Sequence, residues 1–336
     1  MVISLSLPRG SYDITLERGV LHKAGTILKL DRRVLIVTDS GVPREYAEAV
    51  AAQCKEPVIA CIPQGEGSKT LANFEALCRE LLRHHFSRTD CVVAVGGGVV
   101  GDLAGFVAAS FMRGIDFYNI PTTVLSQVDS SIGGKVAVDL DGIKNILGAF
   151  YQPKAVLVDP DVLKTLPPRQ IANGLAEAVK MALTFDATLF GLFETADPME
   201  NLDAIIAASL RSKQRVVEQD EREAGLRRVL NFGHTIGHAI ETVEGLSGLY
   251  HGECVALGML PMCSDSVKER LTAVLKKLDL PTVWQGDPAA ICEAAFHDKK
   301  FAGGQVTVVT VPQAGEYRLE SWTPDQLRQR IEEFYG

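Results

Sequence analysis

His234 and His238 stand four residues apart in the run Asn231-Phe232-Gly233-His234-Thr235-Ile236-Gly237-His238-Ala239-Ile240-Glu241. On a helix that spacing puts both imidazoles on one face, a common way to present metal ligands. The Glu of the protease pattern His-Glu-x-x-His is absent, so the run points to a metal without naming a reaction. Ligand chemistry recurs at Glu177, within Gly174-Leu175-Ala176-Glu177-Ala178-Val179-Lys180, and at His251-Gly252-Glu253. One carboxylate and two imidazoles form a catalytic zinc set that leaves a coordination position for a substrate oxygen. Spacing leaves open which two histidines bind. Glu177 and Lys180 also have the spacing of a plain helical ion pair. Burying a carboxylate and imidazoles without partners in apolar, glycine-flanked helices is costly, and that weighs toward the metal.

A second chemistry belongs to Gly96-Gly97-Gly98-Val99-Val100-Gly101-Asp102, which follows an apolar strand and opens a helical run. Bare backbone there approaches a pyrophosphate closely, and the helix N-terminus offers unpaired N–H groups. By itself the match to G-x-G-x-x-G is weak, because such turns are often only turns and this one is not on the first strand-helix unit. Asp39 past the first strand, and Thr122 and Thr123 after Pro121, add polar groups at further strand ends. Each alone reads as a helix cap; together they favour a dinucleotide crevice. Asp129-Ser130-Ser131-Ile132-Gly133-Gly134-Lys135 lacks the phosphate-loop spacing, so it is not a nucleoside triphosphate site. It and the following Lys144-Asn145 read as a loop with two lysines, solvated or aimed at an anion. Arg113, Lys135, Lys144, Lys180, Lys213, Arg227, Lys299 and Lys300 lie near these motifs and, if they converge, describe a pocket for a small, multiply charged anion.

The elements that must position these groups divide the chain of 336 residues near its middle. Residues 1–160 alternate short apolar runs (34–38, 58–62, 91–95, 116–120, 155–159) with helical periodicity, the signature of a parallel sheet covered on both faces. Ser68 is the expected N-cap of a helix over 68–85. Residues 161–336 are mainly helical, with amphipathic stretches at 171–193, 202–218, 229–243, 254–278 and 323–334 and a small hairpin over 305–321. A net charge of -8 argues against nucleic acid or an anionic membrane surface as partner. No run reaches membrane-span length, the first residues do not read as a secretion signal, and seven scattered cysteines without a Cys-x-x-Cys pair read as buried thiols of a cytoplasmic protein.

Taken in order, Gly96 to Asp102, Phe111-Met112-Arg113-Gly114, Pro121-Thr122-Thr123, Val128 to Lys135, Lys144-Asn145, Gly174 to Glu177 with Lys180, Leu230 to His238, His251-Gly252-Glu253 and Asp298-Lys299-Lys300 resemble the motifs of the 3-dehydroquinate synthases. The resemblance covers nearly the whole chain. It implies an N-terminal α/β NAD-binding domain, a C-terminal helical metal-binding domain, and a homodimer. The implied substrate is a sugar acid phosphate, 3-deoxy-D-arabino-heptulosonate 7-phosphate, converted to 3-dehydroquinate and phosphate in the shikimate route. The implied steps are transient oxidation by NAD, β-elimination of phosphate, re-reduction and intramolecular aldol closure.

By motif match, Glu177, His234 and His251 become ligands of zinc, or of cobalt in its place. Asp39, Glu66, Lys69, Gly97, Gly98, Val99, Val100, Gly101, Asp102, Thr122, Thr123, Lys144 and Thr165 would hold NAD. Asp129, Lys135, Asn145, Lys180, Lys213, Arg227, Asn231, His238 and one of Lys299 or Lys300 would line the substrate pocket, with Arg113 donated across the dimer. Three departures stand out: Ile143 where Gly usually precedes Lys-Asn, Val136 where Thr is frequent, and a shortened helical segment after Met259. The competing readings are another sugar phosphate cyclase, a metal- and NAD-dependent polyol or glycerol phosphate dehydrogenase, and a non-catalytic binding homologue.

Overall fold

The structure, a computed structural model, describes residues 1–8, 10–245, 248–297 and 304–336. It contains two compact units, residues 1–167 and 168–336. The boundary falls just past a 3₁₀ turn, Pro160–Thr165, that closes the last strand of the first unit.

In the first unit, runs rich in Val and Ile become strands because branched side chains pack well on a pleated surface. The strands are β1 (Val2–Leu7), β2 (Gly10–Leu16), β3 (Arg33–Asp39), β4 (Glu56–Ile62), β5 (Cys91–Gly96), β6 (Asp116–Pro121), β7 (Lys135–Leu140), β8 (Ile143–Phe150) and β9 (Ala155–Val158). Seven form one sheet in the order β1-β2-β9-β6-β5-β3-β4, parallel except for the β1–β2 pair. Helices α1 (Ala24–Ile27), α2 (Arg44–Ala51), α3 (Leu71–Arg83) and α4 (Gly98–Ser110) accompany it. Every residue of β5 is buried, as expected of a central parallel strand covered on both faces. The chain runs from β3 to β4, then returns past β3 to β5, so the direction of winding reverses between β3 and β5. Open parallel sheets bind ligands outside the carboxyl ends of strands at such a switch point. That accounts for a glycine-rich turn on a later strand-helix unit.

Two local expectations change. Thr70, rather than Ser68, caps α3, its side chain accepting from the Asn73 N–H, while Ser68 is the buried end of a 3₁₀ turn, Glu66–Ser68. The segment read as a loop carrying two lysines is a hairpin: Lys135 begins β7, and Lys144 and Asn145 lie in β8. Its tight turn is Asp141-Gly142, with φ of 52° and 78°, the left-handed pair that suits a two-residue hairpin loop. Ile143 therefore opens β8, paired with Leu140.

The second unit comprises α5 (Pro168–Phe185), α6 (Ala187–Thr195), α7 (Leu202–Gln219), α8 (His234–Glu244), α9 (His251–Met259), α10 (Asp265–Lys277), α11 (Pro288–His297), α12 (Pro324–Tyr335) and a hairpin of β10 (Val306–Gln313) and β11 (Glu316–Trp322). Two expected long helices are split. Asp186 stops the first by capping α6, its carboxylate accepting from the N–H groups of Thr188 and Leu189. The second breaks at Pro261, inside the 3₁₀ turn Leu260–Met262. All seven cysteines are free, and Cys91, Cys254, Cys263 and Cys292 are buried, whereas Cys61 is exposed. Among the described residues, no helix is long and apolar enough to cross a membrane.

Candidate active site

In the helical unit, α5, α8 and α9 bring the expected ligands together. Glu177 is fully buried, and its Oε1 lies 3.5 Å from Nε2 of His234 and 3.3 Å from Nε2 of His251. Lys180, one turn on and 1% exposed, sets its Nζ 2.5 Å from Glu177 Oε2. The plain ion pair and the ligand cluster are thus both present. Neither Glu177 oxygen has a geometrically complete hydrogen bond. A buried carboxylate of this kind needs compensating positive charge, and two imidazoles facing the same oxygen with a lysine behind it fit a divalent cation.

Ring orientation supports the same fit. His234 Nδ1 is 3.0 Å from the Phe232 carbonyl, and His251 Nδ1 is 3.5 Å from Glu241 Oε2. Both partners accept, which favours a proton on each Nδ1 and, once the ring is neutral, leaves the Nε2 lone pair for a cation beside Glu177. Burial opposes a charged His251, but the Glu177 and Glu241 carboxylates facing its two ring nitrogens outweigh it and raise its pKa to about 9. His238 is near as well: ligand atoms of His234, His238 and His251 all lie within 4.8 Å of one another.

Glycine makes this convergence sterically feasible. A Cβ on Gly258 would sit 2.1 Å from the Gly233 carbonyl oxygen and 2.6 Å from the Gly237 nitrogen, so α9 crosses α8 almost backbone to backbone. The glycines interleaved with the histidines therefore bring the α8 and α9 imidazoles within reach of one another.

The remaining polar residues of this unit cluster around a loop. Lys213 on α7 is 6% exposed, and Arg227, in the 3₁₀ turn Leu226–Asn231, is 2% exposed. Asp220 ties the loop down by accepting from the N–H groups of Ala224, Gly225 and Arg227 at 2.8, 2.7 and 2.9 Å. Desolvation opposes ionisation of Asp220, yet these three backbone donors hold its pKa below the ordinary value. Glu223, at a left-handed φ of 61°, accepts from the Asn231 amide at 2.7 Å. Sequence reading missed Asp220, Glu223 and Glu241; only the acid at the third position after His238 on α8 offered a signal, because it shares the histidine face. Lys299 and Lys300 lie outside the described residues.

In the first unit the carboxyl ends of adjacent strands β9, β6, β5 and β3 lead into Thr165, Thr122 with Thr123, the turn from Gly97 to Asp102, and Asp39, while Glu66 and Lys69 follow β4 and Lys144 lies on β8. Asp39 ends β3 and accepts from the Gly41 N–H at 2.7 Å; desolvation raises its pKa above the ordinary value, against two backbone hydrogen bonds. Gly97 follows β5, and α4 starts at Gly98, carrying Val99, Val100, Gly101 and Asp102 in its first turns. A Cβ on Gly97 would stand 3.1 Å from Thr123 Cγ2, so the turn packs tightly against the residues after β6. Thr122 N–H donates to the Gly96 carbonyl at 2.9 Å, and Thr123 Oγ1 lies 2.7 Å from Ser126 Oγ. Thr165, exposed after β9, sits 3.1 Å from the Tyr46 hydroxyl. Lys69, 4% exposed, joins Asp102 at 3.0 Å and Glu66 at 3.1 Å; these carboxylates overcome desolvation and raise its pKa.

Asp129 lies in a π-helical turn, Ser126–Ser130, a rare conformation that recurs at functional sites. Lys135, Lys144 and Asn145 are exposed on the β7–β8 hairpin, where Asn145 takes a φ of 55° and its N–H donates to Asp139 at 2.7 Å. Arg113 is exposed, at a φ of 67° beside Met112 at 51°, two consecutive left-handed non-glycine residues.

Family profiles described as 3-dehydroquinate synthase N-terminal and C-terminal match residues 59–173 and 174–301. The 3-dehydroquinate synthase of Enterococcus faecalis (strain ATCC 47077 / OG1RF) is 40% identical, covering 98% of each chain. A crystal structure of 2-deoxy-scyllo-inosose synthase with carbaglucose-6-phosphate, NAD+ and Co2+ superposes with a TM-score of 0.88 at 26% identity, covering 99% of this chain and 100% of that one. The 2-epi-5-epi-valiolone synthase of Streptomyces hygroscopicus subsp. jinggangensis 5008, with NAD+ and Zn2+ bound, gives a TM-score of 0.88 at 26% identity over 98% and 96%.

Proposed function

Because the chain belongs to the 3-dehydroquinate synthase family, we propose that it is a lyase converting 3-deoxy-D-arabino-heptulosonate 7-phosphate to 3-dehydroquinate and phosphate. The observation that carries this reading is the match to the family's proteins along nearly the full chain at 40% identity. The convergence of Glu177, His234 and His251 supplies the chemistry the reaction asks for.

NAD and a divalent metal, zinc or cobalt, are its cofactors; when bound, they supply a reversible hydride acceptor and Lewis acidity at the hydroxyl to be oxidised. Glu177, His234 and His251 would hold the metal. Gly97 to Asp102, with Asp39, Thr122, Thr123, Thr165, Glu66, Lys69 and Lys144, would hold NAD. Bare N–H groups at the start of α4 suit the pyrophosphate and the Asp39 carboxylate suits ribose hydroxyls. Lys213 and Arg227 suit the substrate carboxylate. Lys135 and Asn145 of the first unit, and Asn231, His238 and one of Lys299 or Lys300 of the second, suit its phosphate, and Asp129 and Lys180 suit further polar groups of the substrate. Elimination and ring closure depend on holding one substrate conformer with its charge compensated, and this set of cations and amides serves that end in an acidic protein.

Arg113 is assigned to a homodimer boundary. Its left-handed backbone lies at an exposed position; Met112 beside it, and Leu140, Ile143, Ile146 and Phe150 on the β7–β8 hairpin, expose large apolar side chains. A cytoplasmic location fits the free thiols.

The test is incubation with NAD, zinc and, separately, heptulosonate phosphate, sedoheptulose 7-phosphate and glucose 6-phosphate. Phosphate release from the first without accumulating NADH is expected. Cyclisation of either neutral sugar phosphate but not the first would overturn the substrate assignment. Sustained NADH growth would favour a dehydrogenase, and no phosphate release at all would favour a binding homologue.

A further inference from the structure

Arg169, Asn173 and Glu177 recur every four residues on α5 and therefore share one face, and each meets the start of α9. The Arg169 guanidinium grips the Glu253 carboxylate at both oxygens, 2.7 and 2.8 Å. Asn173 Oδ1 accepts from the Gly252 N–H at 2.6 Å. Glu177 Oε1 faces His251 Nε2 at 3.3 Å. Glu253 Oε2 also accepts from the Tyr250 N–H at 2.8 Å, and the Tyr250 ring lies 4.0 Å from the Arg169 guanidinium carbon. At Gly252 the helices touch: a Cβ would fall 2.0 Å from the Asn173 carbonyl oxygen.

We infer that Arg169 and Asn173 are positioning residues that seat the first turn of α9, so that His251 reaches the metal beside Glu177. The inference rests on the assignment of Glu177, His234 and His251 as the metal set. Each tie is costly to cut. Glu253 is 8% exposed at its side chain, so loss of the bidentate partner strands a buried carboxylate. Asn173 is 6% exposed, and it satisfies a first-turn N–H that no residue within the helix can pair. A small displacement of α9 moves Nε2 out of the narrow distance range that ligation tolerates.

The experiment measures zinc affinity by competition with a chromophoric chelator for the full chain and its Arg169→Gln, Asn173→Ala, Arg270→Gln and His251→Ala variants, with metal-free melting temperatures in parallel. Arg270 makes the same bidentate grip on Glu194, at 2.7 and 2.8 Å, away from the metal set in sequence and partners. Arg169→Gln and Asn173→Ala should bind zinc about 10–100-fold more weakly, the usual effect of outer-shell loss, with Arg270→Gln unchanged. Arg169→Lys, which keeps the charge without the fork, should fall between, and it and Asn173→Ser stand in for any variant that fails to fold. Activity should return at saturating zinc, as it would not in His251→Ala. Wild-type zinc affinity in Arg169→Gln and Asn173→Ala would overturn the proposal. Equal zinc affinity in His251→Ala and the wild type would instead defeat the metal assignment, and the positioning role with it.

Discussion

The candidate nucleotide edge of the first unit and the candidate metal cluster of the second are built on opposite plans. At the sheet edge the working groups come from strand ends and the backbone of one contiguous turn, Gly97 to Asp102, where the absence of side chains is the feature that matters. In the metal cluster the working groups are side chains from three helices, separated by up to 74 positions between Glu177 and His251, and glycine serves only to let α8 and α9 approach. A backbone site is a local property of chain conformation. A side-chain site depends on helix placement and has to be supported by neighbours such as Glu241 and Arg169.

The contrast is testable, beginning with its largest consequence. His234→Ala and Glu177→Ala should lose zinc, measured by metal analysis after dialysis, with turnover falling more than about 10³-fold, beyond the loss of a single electrostatic donor. Affinity for NAD should change little. His238→Ala should keep zinc while losing turnover; equal zinc loss in His238→Ala and His234→Ala would put His238 in the metal set instead. The reciprocal change, Gly97→Val, pushes a side chain toward Thr123, and NAD should bind at least about tenfold more weakly by fluorescence titration while zinc content stays whole.

Acidity should separate the regions further. In the metal-free protein the pKa of His251 is raised from 6.5 to about 9, so its contribution to stability is fully present below about 6.5 and is lost as pH rises through about 9. Metal must displace that proton, so apparent zinc affinity should fall about tenfold per pH unit below about 9, as read by calorimetry in buffers of differing ionisation heat. A zinc affinity flat between neutral pH and about 9 would contradict this coupling.

Smaller effects are expected from the supports of the nucleotide edge. Lys69→Met leaves Asp102 and Glu66 without their shared cation; both carboxylates keep some solvent contact, so a stability loss of about 1–3 kcal/mol by denaturant titration is expected, with zinc binding intact. Thr70→Ala removes only the α3 cap and should cost about 1 kcal/mol with turnover unchanged.

The sequence carried much of this on its own. Apolar runs rich in Val and Ile located β3 and β5, because a strand buried on both faces is apolar along most of its length. Glycines followed by a helical run located the turn into α4, and the order of motifs pointed to the family. What stayed illegible was partly local geometry and partly contacts between elements distant in sequence. Periodicity could not show that Asp186 and Pro261 interrupt two amphipathic stretches, since both halves keep an apolar face for packing. The β7–β8 hairpin read as a loop because β8 is largely exposed and lacks the alternation that marks a half-buried strand.

The clearest division lies in the opening pair of histidines. Sequence determined that His234 and His238 share a helix face, a consequence of 3.6 residues per turn. Only tertiary structure brought Glu177 and His251 to that face, turned the Nε2 atoms of His234 and His251 toward one carboxylate oxygen, and set Glu241 and Phe232 behind the rings. Those placements arise from the close crossing of α8 and α9 at glycine and from the grip of α5 on the first turn of α9, contacts that no local spacing encodes.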